Sequence, residues 1–229
     1  RLGFGNYLGS DLPIGKRGNI PNWDYYNKVY PSKNWRATTI ISNAIGQGEV
    51  LSTPIQLANF TALIANRGYY FIPHIIKQIK DTIINKEFPI PHYSTIDKQN
   101  FEPIIQGMFD VFEKEGTARF SKLSDITICG KTGTAENFKR IHGKKYQFED
   151  HSIFVAFAPK DHPKIAIAIF IENGGFGANL AAPMATLLIE KYLKRKSDRP
   201  ALEQTIIDKD LTPLYQRQQL IEQQIAPKK

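Results

Sequence analysis

The chain has 229 residues, enough for one large domain or two small ones, and its 41% hydrophobic and 23% charged residues are typical of a globular protein. The net charge of +8 is carried by scattered basic residues, and no interleaving of basic and aromatic residues indicates binding to DNA or RNA. A single cysteine, Cys129, excludes a disulfide within the chain, and the five histidines have no metal-ligand spacing, so we expect neither a metal nor a cofactor.

The sequence contains no segment that predicts a membrane span. The longest apolar run, residues 165–171, is far shorter than the ~20 residues needed to cross a bilayer, and there is no signal peptide. Because the chain begins at Arg1 and not at a methionine, we expect further residues upstream, including any membrane anchor.

The first part of the chain predicts loops followed by a capped helix. Residues 1–36 are rich in Gly, Pro, Asn and Tyr, which favours turns, with one short helix near residues 22–27. Thr53 is a good N-cap for the next helix, because Pro54 suits the first helical position and Gln56 completes a capping box.

The middle of the chain predicts a strand and a second helix. Residues 69–80 are rich in Tyr, Phe and Ile and predict a strand, and residues 81–92 predict a loop or hairpin. Apolar residues recur at helical spacing over residues 98–115, and Gly116 is placed to end that helix. A short helical turn is expected at residues 118–123.

The last part of the chain predicts a hairpin and a long helix. Residues 137–150 are polar and basic and predict a connecting loop. The apolar runs at 151–158 and 164–172 are separated by a short turn, which predicts an antiparallel hairpin, and a helix is expected over residues 178–196. The pattern predicts an α/β (α+β) fold in which an antiparallel sheet is flanked by helices.

The stretch from Ile128 to Glu136 joins a short apolar run to the string Gly-Lys-Thr-Gly-Thr-Ala-Glu. It predicts a strand that places one positive charge, on Lys131, beside two threonine hydroxyls. Gly130 and Gly133 have no β-carbon, which allows a ligand to approach the main chain closely. On a sheet edge, such a strand can hold the carboxylate that ends an extended peptide. The alternative is structural, since a bare Lys-Thr-Gly tripeptide is also typical of a strand-to-turn junction.

Several segments resemble the C-terminal part of the transpeptidase domain of penicillin-binding proteins. The segments are the Ala44-Ile45-Gly46-Gln47-Gly48 loop with the Thr53-Pro54-Ile55-Gln56-Leu57 helix start, Glu115-Gly116-Thr117-Ala118, Gly130 to Glu136, and His151 to Pro159 followed by Glu172-Asn173-Gly174-Gly175. Gly18-Asn19-Ile20-Pro21 and the Gly-Gln-Gly loop are most similar to the elongation-type group, penicillin-binding protein 2. The resemblance covers roughly residues 1–195 and implies a β-lactamase-like and transpeptidase-like fold that is incomplete on its N-terminal side.

The resemblance implies that the intact protein is an enzyme, a peptidoglycan D,D-transpeptidase. In this family a serine attacks the D-Ala-D-Ala bond of a stem peptide, and an amine of a second stem resolves the acyl-enzyme. By resemblance Lys131 and Thr134 are catalytic, because Lys131 supports the electrostatics of the site and the Thr134 N–H supplies half of the oxyanion hole. Thr132, Gly133 and Thr134 are expected to bind substrate, with the two threonine hydroxyls on its carboxylate.

The nucleophile motif of the family does not occur in this sequence. No lysine has a serine three residues before it, so Ser-x-x-Lys is absent. Ser32-Lys33-Asn34 matches the Ser-x-Asn motif, but its place in a Pro-Ser-Lys-Asn-Trp loop favours a chance match. We therefore expect residues 1–196 to be the C-terminal portion of a transpeptidase domain, residues 197–229 to be a peripheral tail, and the chain alone to be inactive.

Three functional hypotheses are open on the sequence: a transpeptidase, a β-lactam sensor domain of the same fold, and a non-catalytic cell-wall scaffold. The first implies that peptidoglycan stem peptides, β-lactam antibiotics and membrane proteins of the elongation complex are partners. It also implies a location at the periplasmic face of the bacterial inner membrane, with an N-terminal anchor that lies outside this chain. Upstream residues would separate a sensor from a transpeptidase, because a sensor would carry several transmembrane helices.

Overall fold

The computed structural model of the chain describes residues 2–12, 15–80 and 85–225. It divides the chain into two compact units, residues 1–101 and residues 102–229. No helix within the described ranges is both long enough and apolar enough to cross a membrane.

The first unit contains two capped helices. Helix α1 spans Trp23–Val29 and begins at Asn22, whose side chain accepts a hydrogen bond from the Tyr25 amide at 2.9 Å. A 3₁₀ helix follows at Ala37–Ile45, and helix α2 spans Pro54–Ala65. The predicted capping box is confirmed, because the Thr53 side chain accepts from the Gln56 amide and the Gln56 side chain accepts from the Thr53 amide.

The strand predicted at residues 69–80 is wrong beyond its first two residues. Strand β1, Tyr69–Tyr70, pairs antiparallel with strand β2, His92–Tyr93. Pro73 lacks the N–H that a longer strand needs. The amides of Ile75 and Ile76 instead donate to the carboxylate of Asp11 at 3.0 and 2.8 Å, and these bonds lower the pKa of Asp11. Part of the loop or hairpin predicted at residues 81–92 lies outside the described residues.

The second predicted helix is shorter than expected at its C-terminal end. A 3₁₀ turn at Lys98–Phe101 leads into helix α3, Glu102–Asp110. The chain then folds back on itself, and the Ala118 amide donates to the Val111 carbonyl at 2.9 Å. A 3₁₀ turn at Arg119–Ser121 follows and confirms the short helical turn that was expected there.

A three-stranded antiparallel sheet forms the centre of the second unit. Its strands are β3, Cys129–Ala135, β6, His151–Ala158, and β7, Ile165–Ile171, in the order β3-β6-β7. Residues 151–158 and 165–171 pair as the predicted hairpin. The predicted fold class, an antiparallel sheet with helices, is confirmed.

Helix α4, Ala181–Lys194, packs against β6 and β7. Its buried side is rich in alanine, which allows the helix to approach the sheet closely. Together with alternate residues of β6 and with the segments before β3, it encloses a core of Phe112, Ala118, Leu123, Ile128, Phe154, Ala156, Ala158, Ala181, Ala182, Ala185 and Ile189.

The connecting loop predicted at residues 137–150 is wrong, because most of it forms a second hairpin. Strand β4, Phe138–Ile141, pairs with strand β5, Lys144–Gln147. The two turn residues, His142 and Gly143, both have positive φ, at 49° and 79°, which is the conformation of a tight hairpin turn with right-handed strand twist.

The described part of the tail is helical. Helix α5 spans Pro200–Ile207 and helix α6 spans Thr212–Ile225. Arg199, just before α5, donates to the nearly fully buried Glu190 of α4 at 3.0 Å. This ion pair ties the start of the tail to the core helix.

Candidate functional site

The Lys-Thr-Gly string lies on strand β3 at an edge of the sheet, as the sequence predicts. Lys131 pairs in register with Val155 of β6, and Thr134 pairs with Ser152. No strand of the described residues pairs with the other side of β3. Cys129 and Gly130 are buried, whereas the strand becomes accessible from Lys131 onward.

Lys131 is exposed and borders a cavity. Its ammonium group donates to the carbonyl of Thr132 at 2.7 Å. The cavity has a volume of about 540 Å³, and its other lining residues come from the end of α3 and the turn at residues 110–117. Three of them are acidic: Asp110, Glu113 and Glu115. Lys131 therefore borders open space that acidic side chains also line.

Thr132 is joined to a second segment of the chain. Its hydroxyl lies 2.9 Å from the hydroxyl of Thr117, and the two form a hydrogen bond. Thr117 belongs to the Glu-Gly-Thr-Ala string, so the fold brings together two of the segments that carry the resemblance. From the sequence alone, Thr117 had no predicted role at the site, although the Glu-Gly-Thr-Ala string was a signal that could have indicated one.

The glycines of the string serve packing within the sheet. A β-carbon at Gly130 would lie 2.6 Å from the ring of Phe154, and one at Gly133 would lie 3.2 Å from the β-carbon of Ile153. The expectation that Gly130 leaves room for a ligand is therefore wrong, because the ring of Phe154 occupies that space. Since side chains alternate along a strand, Thr132 and Thr134 lie on the side of β3 on which Phe154 faces Gly130.

Thr134 is half-buried, and the loop after β7 packs beside it. Its cross-strand neighbour Ser152 is fully buried, and the Ser152 hydroxyl donates to the carbonyl of Phe176 at 3.1 Å and accepts from the Ala181 amide at 3.2 Å. A β-carbon at Gly177 would lie 2.5 Å from the Gly133 carbonyl oxygen. The loop over residues 173–180 thus lies directly against the accessible half of β3.

Two other segments singled out in the sequence belong to the first unit. Ser32 and Asn34 lie in the first unit, in an exposed turn where Lys33 has a positive φ of 51°. The Gly-Gln-Gly loop also lies in that unit, where Gly46 caps the 3₁₀ helix. Over residues 2–12, 15–80 and 85–225, no group of three or more His, Cys, Asp or Glu residues could hold a metal ion.

Comparison with known proteins finds a family that matches most of the chain. A sequence model of the penicillin binding protein transpeptidase domain matches residues 1–190. The peptidoglycan D,D-transpeptidase MrdA of Acinetobacter baumannii is 35% identical over 218 residues, which is 89% of this chain and 32% of that protein. The chain therefore spans about a third of the length of this relative.

Two solved structures are similar in fold and sequence. Pseudomonas aeruginosa PBP2, solved in complex with WCK 5153, has a TM-score of 0.72 and 34% identity over 84% of this chain and 42% of its own. Helicobacter pylori PBP2, solved in complex with MreC, has a TM-score of 0.68 and 32% identity over 84% of this chain and 34% of its own. With the family match over most of its length, this chain belongs to the penicillin-binding protein transpeptidase domain family.

Proposed function

We propose that this chain supplies the substrate-binding strand of a peptidoglycan D,D-transpeptidase, which cross-links stem peptides by serine acyl transfer. The observation that carries the proposal is strand β3, on which Lys131 borders an open cavity and the hydroxyl of Thr132 is held by Thr117 at 2.9 Å. The relatives favour this hypothesis over a sensor or a non-catalytic scaffold, because they are named as peptidoglycan D,D-transpeptidases.

A stem peptide that ends in D-Ala-D-Ala would add to the open edge of β3 as an extended strand. The hydroxyls of Thr132 and Thr134 would bind its terminal carboxylate, and the ammonium group of Lys131 would stabilise the negative charge there. Since the strand is buried before Lys131, the peptide's N-terminal part would lie beside Gly133 and Ala135, with its C-terminus nearest Lys131. The peptide would therefore be antiparallel to β3.

The Thr134 N–H would then donate to the carbonyl oxygen of the scissile bond as negative charge develops on it. The attacking serine forms an ester with the penultimate D-Ala and releases the last D-Ala as a free amine. An amine of a second stem displaces the serine and forms the cross-link. No Ser-x-x-Lys motif lies within these 229 residues, so in this proposal the serine belongs to residues outside this sequence.

The same proposal includes the domain boundaries, the partners and the location. Residues 1–196 would be the C-terminal portion of the transpeptidase domain, and residues 197–229 its tail. β-Lactams would acylate the serine in place of the stem peptide, and membrane proteins of the elongation complex would be partners, as MreC is for the Helicobacter pylori PBP2 structure. Stem peptides lie outside the inner membrane, which supports a location on its periplasmic face.

The test compares variants of a protein that carries this chain together with a Ser-x-x-Lys helix. We expect Lys131→Ala and Thr134→Val each to slow acylation by a fluorescent penicillin by about 10- to 100-fold, the effect of losing a hydrogen bond to a charged group. Lys144→Ala is the matched control, because Lys144 is an exposed lysine on β5 with no acidic partner among the described residues.

For Lys131→Ala the free energy of unfolding should change by about 0.5 kcal/mol or less, because Lys131 is exposed. Acylation at the parent's rate in both variants would contradict the proposed roles. A large loss of stability without a specific loss of acylation would favour a structural role for the string.

A further inference from the structure

Helix α6 contacts the segments that follow strand β3, although it lies beyond the residues matched by the family. The hydroxyl of Tyr215 donates to the Glu172 carbonyl at 3.3 Å, and Gln218 accepts from the Asn137 side chain at 3.4 Å. These contacts and the next one come from positions 215, 218 and 222, which is one face of a helix.

The strongest of these contacts is an ion pair with the hairpin. Glu222 of α6 lies 2.7 Å from the ammonium group of Lys139 on β4, and this hydrogen bond lowers the pKa of Glu222. On the same side, α6 and residues 147–149 enclose a cavity of about 260 Å³. Helix α6 therefore contacts the β4–β5 hairpin through Lys139 and lies beside the end of β5.

Asn137 is the point at which these segments meet. It stands two residues after β3, and its side-chain amide lies within hydrogen-bond distance of the Glu149 carbonyl at 3.2 Å, of Asn173 at 2.8 Å and of Gln218 at 3.4 Å. Its carbonyl accepts from the Phe148 amide at 2.8 Å. A single side chain thus links the end of β3, the start of β6, the loop after β7 and helix α6.

The same network continues to the strand beside the candidate site. Asn173 is buried, and its backbone amide donates to Nδ1 of His151 at 3.1 Å. A β-carbon at Gly174 would lie 2.8 Å from the β-carbon of Ser152, and Ser152 is the register partner of Thr134. The chain just after Asn173 therefore packs directly against the residue that pairs with Thr134.

We propose that α6 is a positioning element for the substrate-binding strand. Gln218 and Glu222 hold Asn137 and Lys139, and through them they fix the end of β3 at the geometry that substrate binding requires. This inference rests on the proposed function of β3. It assigns a role in the reaction to a helix that contributes no residue to the site itself.

The test uses the 229-residue chain and charge changes on the hairpin side of α6. Glu222→Lys places two cations together, and we expect the Phe148 amide to exchange with solvent about 5-fold faster, together with a shifted NMR signal for the Gly133 amide. The double variant Lys139→Glu with Glu222→Lys exchanges the two charges. It should return the Phe148 exchange rate to within about 2-fold of the parent and the Gly133 amide signal to its parent position. Such rescue would show that the ion pair itself, and not another effect of the substitution, changes both readouts.

The matched control is Glu203→Lys, which also removes an ion pair of the tail. Glu203 of α5 pairs with Lys191 of α4, away from Asn137. We expect this variant to leave the Phe148 and Gly133 amides unchanged. Gln218→Ala repeats the test without a charge change if Glu222→Lys does not fold.

Equal effects of Glu222→Lys and Glu203→Lys would overturn the inference, as would faster exchange at Phe148 with no shift at Gly133. The proposed function is read separately, from titration of the parent chain with a short peptide ending in D-Ala-D-Ala. A lack of shifts at residues 131–134 in that titration would count against the proposed function and leave the α6 result standing.

Discussion

Gly177 lies against the backbone of β3, and a single methyl group there should disturb both the fold and the candidate site. A β-carbon at this position would lie 2.5 Å from the Gly133 carbonyl oxygen, whereas C···O contacts are ordinarily at about 3.3 Å or more. The Ile153 carbonyl is closer still. Both obstructing atoms belong to the backbone of paired strands, so no side-chain rotation can relieve the clash.

We therefore expect Gly177→Ala to cost about 3 kcal/mol, the upper end of the range for added volume in a packed interior. In a chain of this size that corresponds to a melting temperature lower by about 6–12 °C. Thermal unfolding followed by circular dichroism measures it. If β3 shifts, the same variant should also slow acylation in a protein that carries a Ser-x-x-Lys helix.

The matched control is Gly107→Ala in α3, in the same unit. No atom lies within 4 Å of a β-carbon placed there, so this change should stabilise the helix by roughly 0.5–1 kcal/mol. An unchanged melting temperature for Gly177→Ala, or an equal loss in both variants, would refute the packing argument.

Thr53→Ala removes the N-cap of α2 and should destabilise this helix by about 1 kcal/mol. Unfolding can be followed by tryptophan fluorescence, because both tryptophans lie in the first unit. Thr53→Ser keeps the hydroxyl and should have a stability close to that of the parent. The lowered pKa of Glu222 means that its pair with Lys139 contributes fully above the ordinary glutamate value of about 4.3 and is lost as pH falls through the lower folded value. The protection of the Phe148 amide should fall in that acidic range, and Glu222→Gln should remove this pH dependence. Residues 1–229 alone should not be labelled covalently by a fluorescent penicillin, because capture requires an activated serine. Labelling on a denaturing gel that unlabelled penicillin blocks would contradict that expectation.

Local patterns in the sequence were sufficient for the elements whose hydrogen bonds are local. The capping box at Thr53 and Gln56 joins residues three positions apart, so the sequence contains the whole interaction. The apolar runs of β6 and β7 are separated by a short turn, and each bears enough β-branched and aromatic side chains to favour a strand. These elements were predicted within a few residues of their observed bounds.

Sequence patterns failed where polar contacts or tertiary packing decided the backbone. Residues 75 and 76 resemble a strand, but their backbone amides donate to the carboxylate of Asp11, which is 64 and 65 positions away in the chain. The β4–β5 hairpin lacks apolar alternation, because six of its eight strand residues are exposed and four of the eight are charged. The turn residues His142 and Gly143 were the available sequence signal for this hairpin.

At the candidate site, local sequence was enough to predict that Lys131, Thr132 and Thr134 lie on one strand, since an apolar run followed by small and hydroxyl residues favours an edge strand. The surroundings of that strand depend on long-range packing: Thr117 bonds to Thr132 across 15 positions, and Gln218 of α6 bonds to Asn137 across 81. Contacts over such distances depend on which surfaces pack together, and no periodicity within a short segment encodes that choice.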